Sequence, residues 1–255
     1  MKSLEELDGE YGLNLICLLP IHKRRGGGSE YNINKLLGYF RRLLLKDKDI
    51  PVIISNACAA GVIYQNLNMV YGSPFFNVNT SYEDFIKICK NPKPYLDKPI
   101  EEVYMMKAFH SMHDHYVEYV PAAKLVGEDG DTAEIIFTHE TNPDDARDRW
   151  NFLREHINWN RIIYVLQEAR GRIPFNTLRQ FEKLPGEKLL VYAGVGLPEE
   201  PYFEKLNGNV ITTSWLTLGR RDIIIEDKFD LVGFMNREYL EPDKKSERKK
   251  HGKRF

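Results

Sequence analysis

The chain contains the stretch Val52-Ile53-Ile54-Ser55-Asn56-Ala57-Cys58-Ala59-Ala60-Gly61, which predicts a buried strand, a tight turn and a helix. A short continuous apolar run is typical of a strand covered on both faces, as in a parallel sheet. Cys58 follows the predicted strand end by three residues and therefore lies at or just before a helix N-terminus. Free backbone N–H groups and the helix dipole stabilise a thiolate there. Cys58 is thus a candidate nucleophile, although a lone cysteine is more often a small buried apolar residue.

Further apolar runs alternate with helical patterns along the chain. Strands are predicted at 75–78, 133–138, 161–166 and 188–193. Alternation of strands and helices indicates a parallel sheet covered by helices. We therefore predict an α/β fold, in a three-layer α/β/α arrangement with a mainly parallel central sheet. The predicted organisation is an N-terminal strand and Gly-rich linker over residues 1–31, a single α/β domain over 32–240 and a basic C-terminal tail over 241–255.

The composition excludes some classes of protein. The chain has 255 residues and a formal net charge of −1, which gives no indication of a nucleic-acid-binding surface. Residues 244–254 nevertheless carry seven lysines and arginines against one acid, Glu247. Such tails are typically solvated, and weak contact with an anionic membrane surface is the alternative. No apolar run approaches the ~20 residues that span a bilayer, and three cysteines without paired spacing argue against disulfides, so we expect a cytoplasmic protein.

His139 follows the predicted strand 133–138 at its carboxyl end. Ligands of parallel sheets bind at this end of the strands, so we expect Cys58 and His139 to lie side by side there. The imidazole would accept the thiol proton and later protonate a leaving group. The carboxylates that could orient it are Glu140, Asp144 and Asp145, although the last two are better explained as acids matched to a helix N-terminus.

Two other groups of residues resemble metal or sugar-nucleotide sites, but each has a simpler explanation. The segment His110 to His115 contains residue types that bind zinc, but its spacing fits no tetrahedral site, and no metal is expected. Asp129-Gly130-Asp131 has the acid-x-acid form with which many glycosyltransferases hold a metal and a sugar nucleotide. A β-turn explains these residues better, since Gly and Asp tolerate left-handed backbone conformations.

The motif around Cys58 carries a resemblance that extends over roughly residues 33–238. Residues 53–61 are followed by Tyr64-Gln65 and Ser73-Pro74, and later by Phe137-Thr138-His139, Trp150 and Ile157-Asn158. In this order they resemble the bacterial domain of unknown function 1919, often described as an exopolysaccharide biosynthesis protein. Together with the free N–H groups of the turn, the resemblance implies a role in oxyanion or substrate binding for Ser55, Asn56, Gly61, Tyr64, Gln65, Ser73, Trp150, Arg154 and Asn158.

The Asn-x-Cys strand end is also similar to the WcbI-type capsule acetyltransferases, which bind coenzyme A. That likeness implies acyl transfer from acyl-CoA (acetyl-CoA) to a hydroxyl of a carbohydrate or of a nucleotide-linked sugar. Cys58 and His139 would be the catalytic pair. The alternatives are a glycosyltransferase or sugar-nucleotide-binding protein of the same pathway, and a non-catalytic assembly partner.

Overall fold

The computed structural model describes residues 38–47, 49–109, 117–169, 171–192, 210–214 and 229–237. The predicted N-terminal strand and Gly-rich linker over 1–31, the segment His110 to His115 and the basic tail lie outside the described residues. Residues 38–43 are helical. The elements that follow are β1 (Val52–Ser55), α1 (Ala59–Asn66), β2 (Val78–Thr80), α2 (Tyr82–Lys90), α3 (Pro92–Asp97), β3 (Tyr104–Phe109), β4 (Val117–Val126), β5 (Thr132–Phe137), α4 (Pro143–Glu155), β6 (Ile162–Gln167), α5 (Phe175–Lys183), β7 (Glu187–Tyr192), β8 (Ile211–Ser214) and α6 (Leu231–Met235). The predicted α/β class is confirmed.

Four strands form a parallel sheet in the order β1–β6–β7–β8. The register places Ile53 of β1 beside Ile163 of β6, and Val165 of β6 beside Leu189 of β7. Strands β1, β6 and β7 are buried along most of their length, which explains their continuous apolar runs in the sequence. The predicted parallel sheet is confirmed for these four strands, whose carboxyl ends share one edge.

The other four strands form an antiparallel sheet in the order β2–β5–β4–β3, which the sequence did not predict. β4 and β5 are joined by a tight turn over residues 127–131, and so short a connection makes neighbouring strands antiparallel. Gly130 has φ +76° in this turn, a conformation that glycine adopts readily. The run 133–138 therefore belongs to an antiparallel strand. Of the eight strands in these two sheets, only four form the predicted parallel sheet. The three-layer arrangement stays a prediction.

Two apolar clusters cover the two faces of the parallel sheet. Because successive side chains of a strand point to opposite faces, Ile54 joins one cluster and Ile53 joins the other. The cluster around Ile54 includes Phe137 of the antiparallel sheet, so the two sheets pack against each other. The N–H of Thr80, at the end of β2, also donates to the carbonyl of Asn56, just after β1, at 3.0 Å. The carboxyl end of β1 therefore lies where the two sheets adjoin.

Capping hydrogen bonds mark the starts of two helices. The hydroxyl of Ser81 accepts from the N–H of Asp84 at 3.0 Å at the start of α2. Asn142 Oδ1 accepts from the N–H of Asp144 at 2.9 Å, and Pro143 is the first residue of α4. Across the described ranges, no helix is both long enough and apolar enough to cross a membrane.

Candidate active site

Cys58 lies in the turn between β1 and α1, at the position immediately before the helix. The turn starts at Ser55, whose hydroxyl accepts from the N–H of Ala57 at 3.3 Å. Cys58 has φ −67° and ψ −4°, and its side chain makes no capping hydrogen bond to α1. The half-buried thiol is therefore placed at a helix N-terminus without acting as its cap.

His139 lies in the turn that follows β5, and its side chain is exposed. Its Nε2 is 3.6 Å from Sγ of Cys58, although 81 positions separate the two residues. The side chains meet because the carboxyl ends of β1 and β5 come together where the sheets adjoin. The sequence placed both residues at the rim of one parallel sheet, whereas the structure places His139 at the end of an antiparallel strand.

The protonation state of the Cys58 thiol follows from its surroundings. Burial raises the pKa of Cys58, while the hydroxyl of Thr138 and the backbone N–H of Cys58 itself lower it only in part. The Thr138 hydroxyl, which has a single proton to donate, also lies 3.4 Å from the carbonyl oxygen of Asn77. The thiol is therefore neutral near pH 7, and its reaction requires a base, which the neighbouring imidazole can supply.

Asn56 and Gln167 attach the Cys58 turn to the end of β6. Asn56 Nδ2 donates to the carbonyl of Gln167 at 2.8 Å, and Asn56 Oδ1 accepts from the N–H of Gln167 at 2.6 Å. The Gln167 side chain reaches back to α1, where its Oε1 accepts from the N–H of Ala59 at 2.9 Å. The amide of Asn56 is thus engaged by backbone. Sequence reasoning missed Gln167, for which the signal is a polar residue at the end of an apolar strand.

The contacts of two motif residues, Gly61 and Tyr64, indicate structural roles. A Cβ added at Gly61 would lie 2.8 Å from Cδ2 of Phe76, so the glycine permits close packing of that ring on α1. The Tyr64 hydroxyl donates to the carbonyl of Pro51 at 2.7 Å and accepts from the N–H of Ile53 at 3.1 Å. Tyr64 is fully buried and points to the start of β1, at the opposite end of the strand from Cys58.

Three further motif residues make contacts within the protein, namely Gln65, Ser73 and Trp150. Gln65 Nε2 donates to the hydroxyl of Tyr71 at 3.3 Å. The hydroxyl of Ser73 is buried and accepts from the N–H of Phe75 at 3.2 Å. Trp150 is fully buried, with its ring centroid 5.3 Å from that of Phe75 in an edge-to-face arrangement. The structure therefore gives Ser73 and Trp150 roles in the core.

Arg154 lies in the last turn of α4, and Asn158 lies three residues beyond the end of that helix. Arg154 Nη1 donates to the carbonyl of Asp97 at 2.9 Å, and its Nη2 contacts Glu155 at 3.2 Å. Asn158 Oδ1 accepts from the N–H of Asn160 at 3.1 Å, which forms a local turn. Because α4 starts near His139 and runs 13 residues away from it, these two side chains are not brought to the thiol.

Of the three carboxylates considered for orienting His139, two form ion pairs with residues of α4 and the third lies in its first turn. Asp144 and Asp145 lie in the first turn of α4, and Asp144 pairs with Arg147 at 2.9 Å. Glu140 Oε1 lies 2.9 Å from Nε of Arg149. Glu140 therefore anchors the turn that carries His139 through an ion pair with α4.

The acid-x-acid element occupies the turn between β4 and β5. The hydroxyl of Tyr95 donates to Asp131 Oδ2 at 3.1 Å, and Lys87 Nζ lies 3.6 Å from Oδ1. The hydrogen bond from Tyr95, and then the charge of Lys87, lower the pKa of Asp131. These contacts give the element a structural role. Among the residues that the structure describes, no group of three or more His, Cys, Asp or Glu is arranged to hold a metal ion.

A pocket of about 190 Å³ adjoins the Cys58 turn. Asn56 contributes to its wall, and Ala169 lies just beyond the end of β6. The remaining lining residues are Thr80, Ser81 and Tyr82, at the junction of β2 and α2. The pocket thus lies at the same junction of sheets that brings Cys58 and His139 together.

The fold and the Cys58–His139 pair define the class as an α/β protein with a thiol–imidazole site at a strand–helix junction, an arrangement suited to nucleophilic catalysis. Residues 29–236 match the family described as Domain of unknown function (DUF1919), and the chain belongs to this family. It is also similar to a protein described as "Uncharacterized protein" from Haemophilus influenzae (strain ATCC 51907 / DSM 11121 / KW20 / Rd), with 23% identity over 192 residues, which cover 72% of this chain and 83% of the relative. The family predicted from the motif is confirmed.

Proposed function

We propose that the protein is an acyltransferase of surface or exopolysaccharide biosynthesis, with acyl-CoA as donor and a sugar hydroxyl as acceptor. The observation that carries the proposal is the 3.6 Å separation between Sγ of Cys58 and Nε2 of His139 at the N-terminus of α1. The likeness of the Asn-x-Cys strand end to WcbI-type acetyltransferases supports the choice of donor. A cytoplasmic location, where acyl-CoA and nucleotide-linked sugars are available, is part of the proposal.

The proposed reaction has two halves. His139 Nε2 accepts the thiol proton of Cys58 as Sγ attacks the thioester carbonyl and a tetrahedral oxyanion forms. Collapse of this intermediate breaks the bond to the CoA sulfur, which leaves with the proton from His139, and an acyl-Cys58 thioester remains. In the second half, His139 accepts the proton of the sugar hydroxyl as its oxygen attacks the acyl carbon, and Cys58 leaves with that proton. Water in place of the sugar would give the related hydrolase.

The proposed oxyanion donors are backbone N–H groups where the turn that carries Cys58 meets the start of α1. The first N–H groups of a helix have no acceptor within the helix, so they are available to a ligand. The N–H of Ala59 is not among them, because it already donates to Oε1 of Gln167. Asn56 is not assigned to it, because its side chain is engaged by the main chain of Gln167.

Intact-mass analysis after mixing the chain with acetyl-CoA tests the proposal. We expect a mass increase of one acetyl group that Cys58→Ala abolishes. Cys89→Ala is the matched control and should retain the adduct, because that thiol is fully buried. His139→Ala should slow formation of the adduct by about 100-fold, the smaller end of the contribution of a general base.

Two results would contradict this function. One is the absence of an adduct together with thermal unfolding that does not change with CoA, since a ligand of the folded state raises its apparent stability. The other is an adduct that persists in Cys58→Ala, which would place the acylated group elsewhere in the chain.

A further inference from the structure

The start of α1 is capped from outside the helix. An N-terminus is usually capped by the side chain of the residue just before the helix, which here is Cys58. Instead, Oε1 of Gln167 accepts the N–H of Ala59 at 2.9 Å, across a separation of 108 positions in the chain. Ala59 is fully buried, so water cannot take the place of this acceptor.

Cys58 differs from an ordinary capping residue in two ways. Its φ of −67° and ψ of −4° are helical, whereas a capping residue is usually extended. Its sulfur makes no bond to the helix N–H groups and lies 3.6 Å from Nε2 of His139. Because Gln167 supplies an acceptor for the helix, the sulfur is left to face the imidazole.

We propose that Gln167 is a positioning residue for the nucleophile. By accepting the N–H of Ala59, it fixes the start of α1 and keeps Sγ of Cys58 directed at His139. Asn56 completes this attachment, since its side-chain amide pairs with the N–H and the carbonyl of Gln167 at 2.6 and 2.8 Å. The inference rests on the proposed role of Cys58 and names the residue on which the orientation of its thiol depends.

Loss of the Gln167 acceptor has a defined consequence. The buried N–H of Ala59 would be left without an acceptor, which is costly in a dry environment. The turn can supply a new acceptor for this N–H if Cys58 adopts the extended conformation of a capping residue. Its sulfur would then point toward the helix. The thiol, whose pKa burial already raises, would then react without help from His139.

A double-mutant cycle on the alkylation of Cys58 by iodoacetamide tests the inference. The rate at Cys58 is followed by peptide mass mapping at neutral pH in wild type, Gln167→Met, His139→Ala and the double variant. We expect each single change to lower the rate by about tenfold, a modest share of what a general base contributes. The double variant should be no slower than either single variant, because both changes remove the same assistance.

Two further variants separate positioning from general damage. Gln167→Glu keeps an oxygen that accepts the N–H of Ala59, so the rate should again depend on His139, even though the buried carboxylate lowers the stability of the fold. Gln180→Met is the matched control: it removes the acceptor of a 2.8 Å hydrogen bond from Lys90 on the surface, and the rate at Cys58 should not change.

The proposal is overturned if Gln167→Met leaves the rate unchanged, if His139→Ala does so, or if the two effects multiply to about a hundredfold as independent changes would. The cycle uses no acyl donor. If the effects of Gln167→Met and His139→Ala are not independent but no acetyl adduct forms, the positioning role is supported and the acyltransferase is rejected. If an adduct forms but the two effects are independent, the acyltransferase is supported and the positioning role is rejected.

Discussion

Oε1 of Glu140 lies 2.9 Å from Nε of Arg149, and this ion pair joins the residue that follows His139 to helix α4. Both side chains are largely buried, with exposed fractions of 24% and 20%. Arg149 Nη1 also donates to the carbonyl of Phe76 at 2.6 Å. Burial lowers the pKa of Arg149, and the charge of Glu140 opposes this effect. One arginine thus attaches the His139 turn to the segment between α1 and β2.

Arg149→Met should destabilise the protein and weaken the reactivity of Cys58. The change leaves the carboxylate of Glu140 partly buried without its ion pair, and we expect a loss of about 2 kcal/mol in the free energy of unfolding, below the 3–5 kcal/mol of a fully buried pair. Urea unfolding measures the loss. The alkylation rate of Cys58 should also fall, because the turn that carries His139 is less firmly held.

Arg147→Met is the matched control for this prediction. Arg147 pairs with Asp144, whose side chain is 72% exposed, and such surface pairs contribute little. We expect a change of less than about 0.5 kcal/mol and an unaltered alkylation rate. If the two methionine variants were equally stable, the ion pair of Arg149 would not hold the His139 turn.

Gly61→Ala should destabilise the protein even though alanine favours helices. The new Cβ would lie 2.8 Å from Cδ2 of Phe76, and that ring cannot easily move because it stacks on Tyr71 with centroids 3.7 Å apart. Overpacking of 1–3 kcal/mol outweighs the helix preference of at most about 1 kcal/mol, so we expect a net loss of about 1 kcal/mol.

Phe76→Leu removes the ring that the new methyl group would meet. In this background Gly61→Ala should cost less than it does in the wild type, as measured by urea unfolding of both single variants and the double variant. Equal costs in the two backgrounds would mean that close packing of the ring does not explain the glycine.

Local features of the site were predictable from the sequence, and its long-range contacts were not. The position of Cys58 before α1 follows from an apolar run and a turn, and the caps Ser81 and Asn142 are signals within four residues. The sequence also suggested His139 from its place after a strand. That strand was assigned to the wrong sheet, because periodicity identifies a strand and not its neighbour.

Gln167 shows why the rest of the site could not be predicted. Its contribution depends on a hydrogen bond to Ala59, 108 positions earlier, which exists only after β1 and β6 pair. Conversely, Trp150 and Tyr64 belong to the motif but pack in the interior. A sequence motif indicates which residues occur together in the family. Only the contacts in the fold show whether a residue packs in the core or lies at the site.

Asn56→Asp should destabilise the protein in a pH-dependent manner. The new carboxylate would be buried and would face the carbonyl of Gln167 where Nδ2 now donates at 2.8 Å. Burial raises the pKa of this carboxyl above the ~3.9 of the unfolded chain, so the variant keeps its stability below about pH 4 and loses it as the pH rises. We expect a loss of about 3 kcal/mol or more at neutral pH, measured by urea unfolding against wild type at each pH.

Asn158→Asp is the control for the same chemical change. Asn158 Oδ1 accepts from the N–H of Asn160 at 3.1 Å in a local turn, and an aspartate oxygen can accept equally well. This variant should stay within about 0.5 kcal/mol of wild type at neutral pH. A loss for Asn56→Asp that did not vary with pH would contradict the buried-carboxylate explanation.

Cys89 should make the protein less stable in alkaline solution. It lies on the inner face of α2, and burial raises its pKa well above the ordinary value. The unfolded chain releases this proton near pH ~8.5 while the folded chain keeps it, so the free energy of unfolding is unaffected below that pH and falls above it by about 1.4 kcal/mol per pH unit. Cys89→Ala should cost about 1 kcal/mol near pH 7 through lost packing, yet its deficit relative to wild type should close between about pH 8.5 and 9.5. Urea unfolding over this range measures the deficit, and one that stays constant would show that the Cys89 thiol ionises as readily in the folded protein as in the unfolded chain.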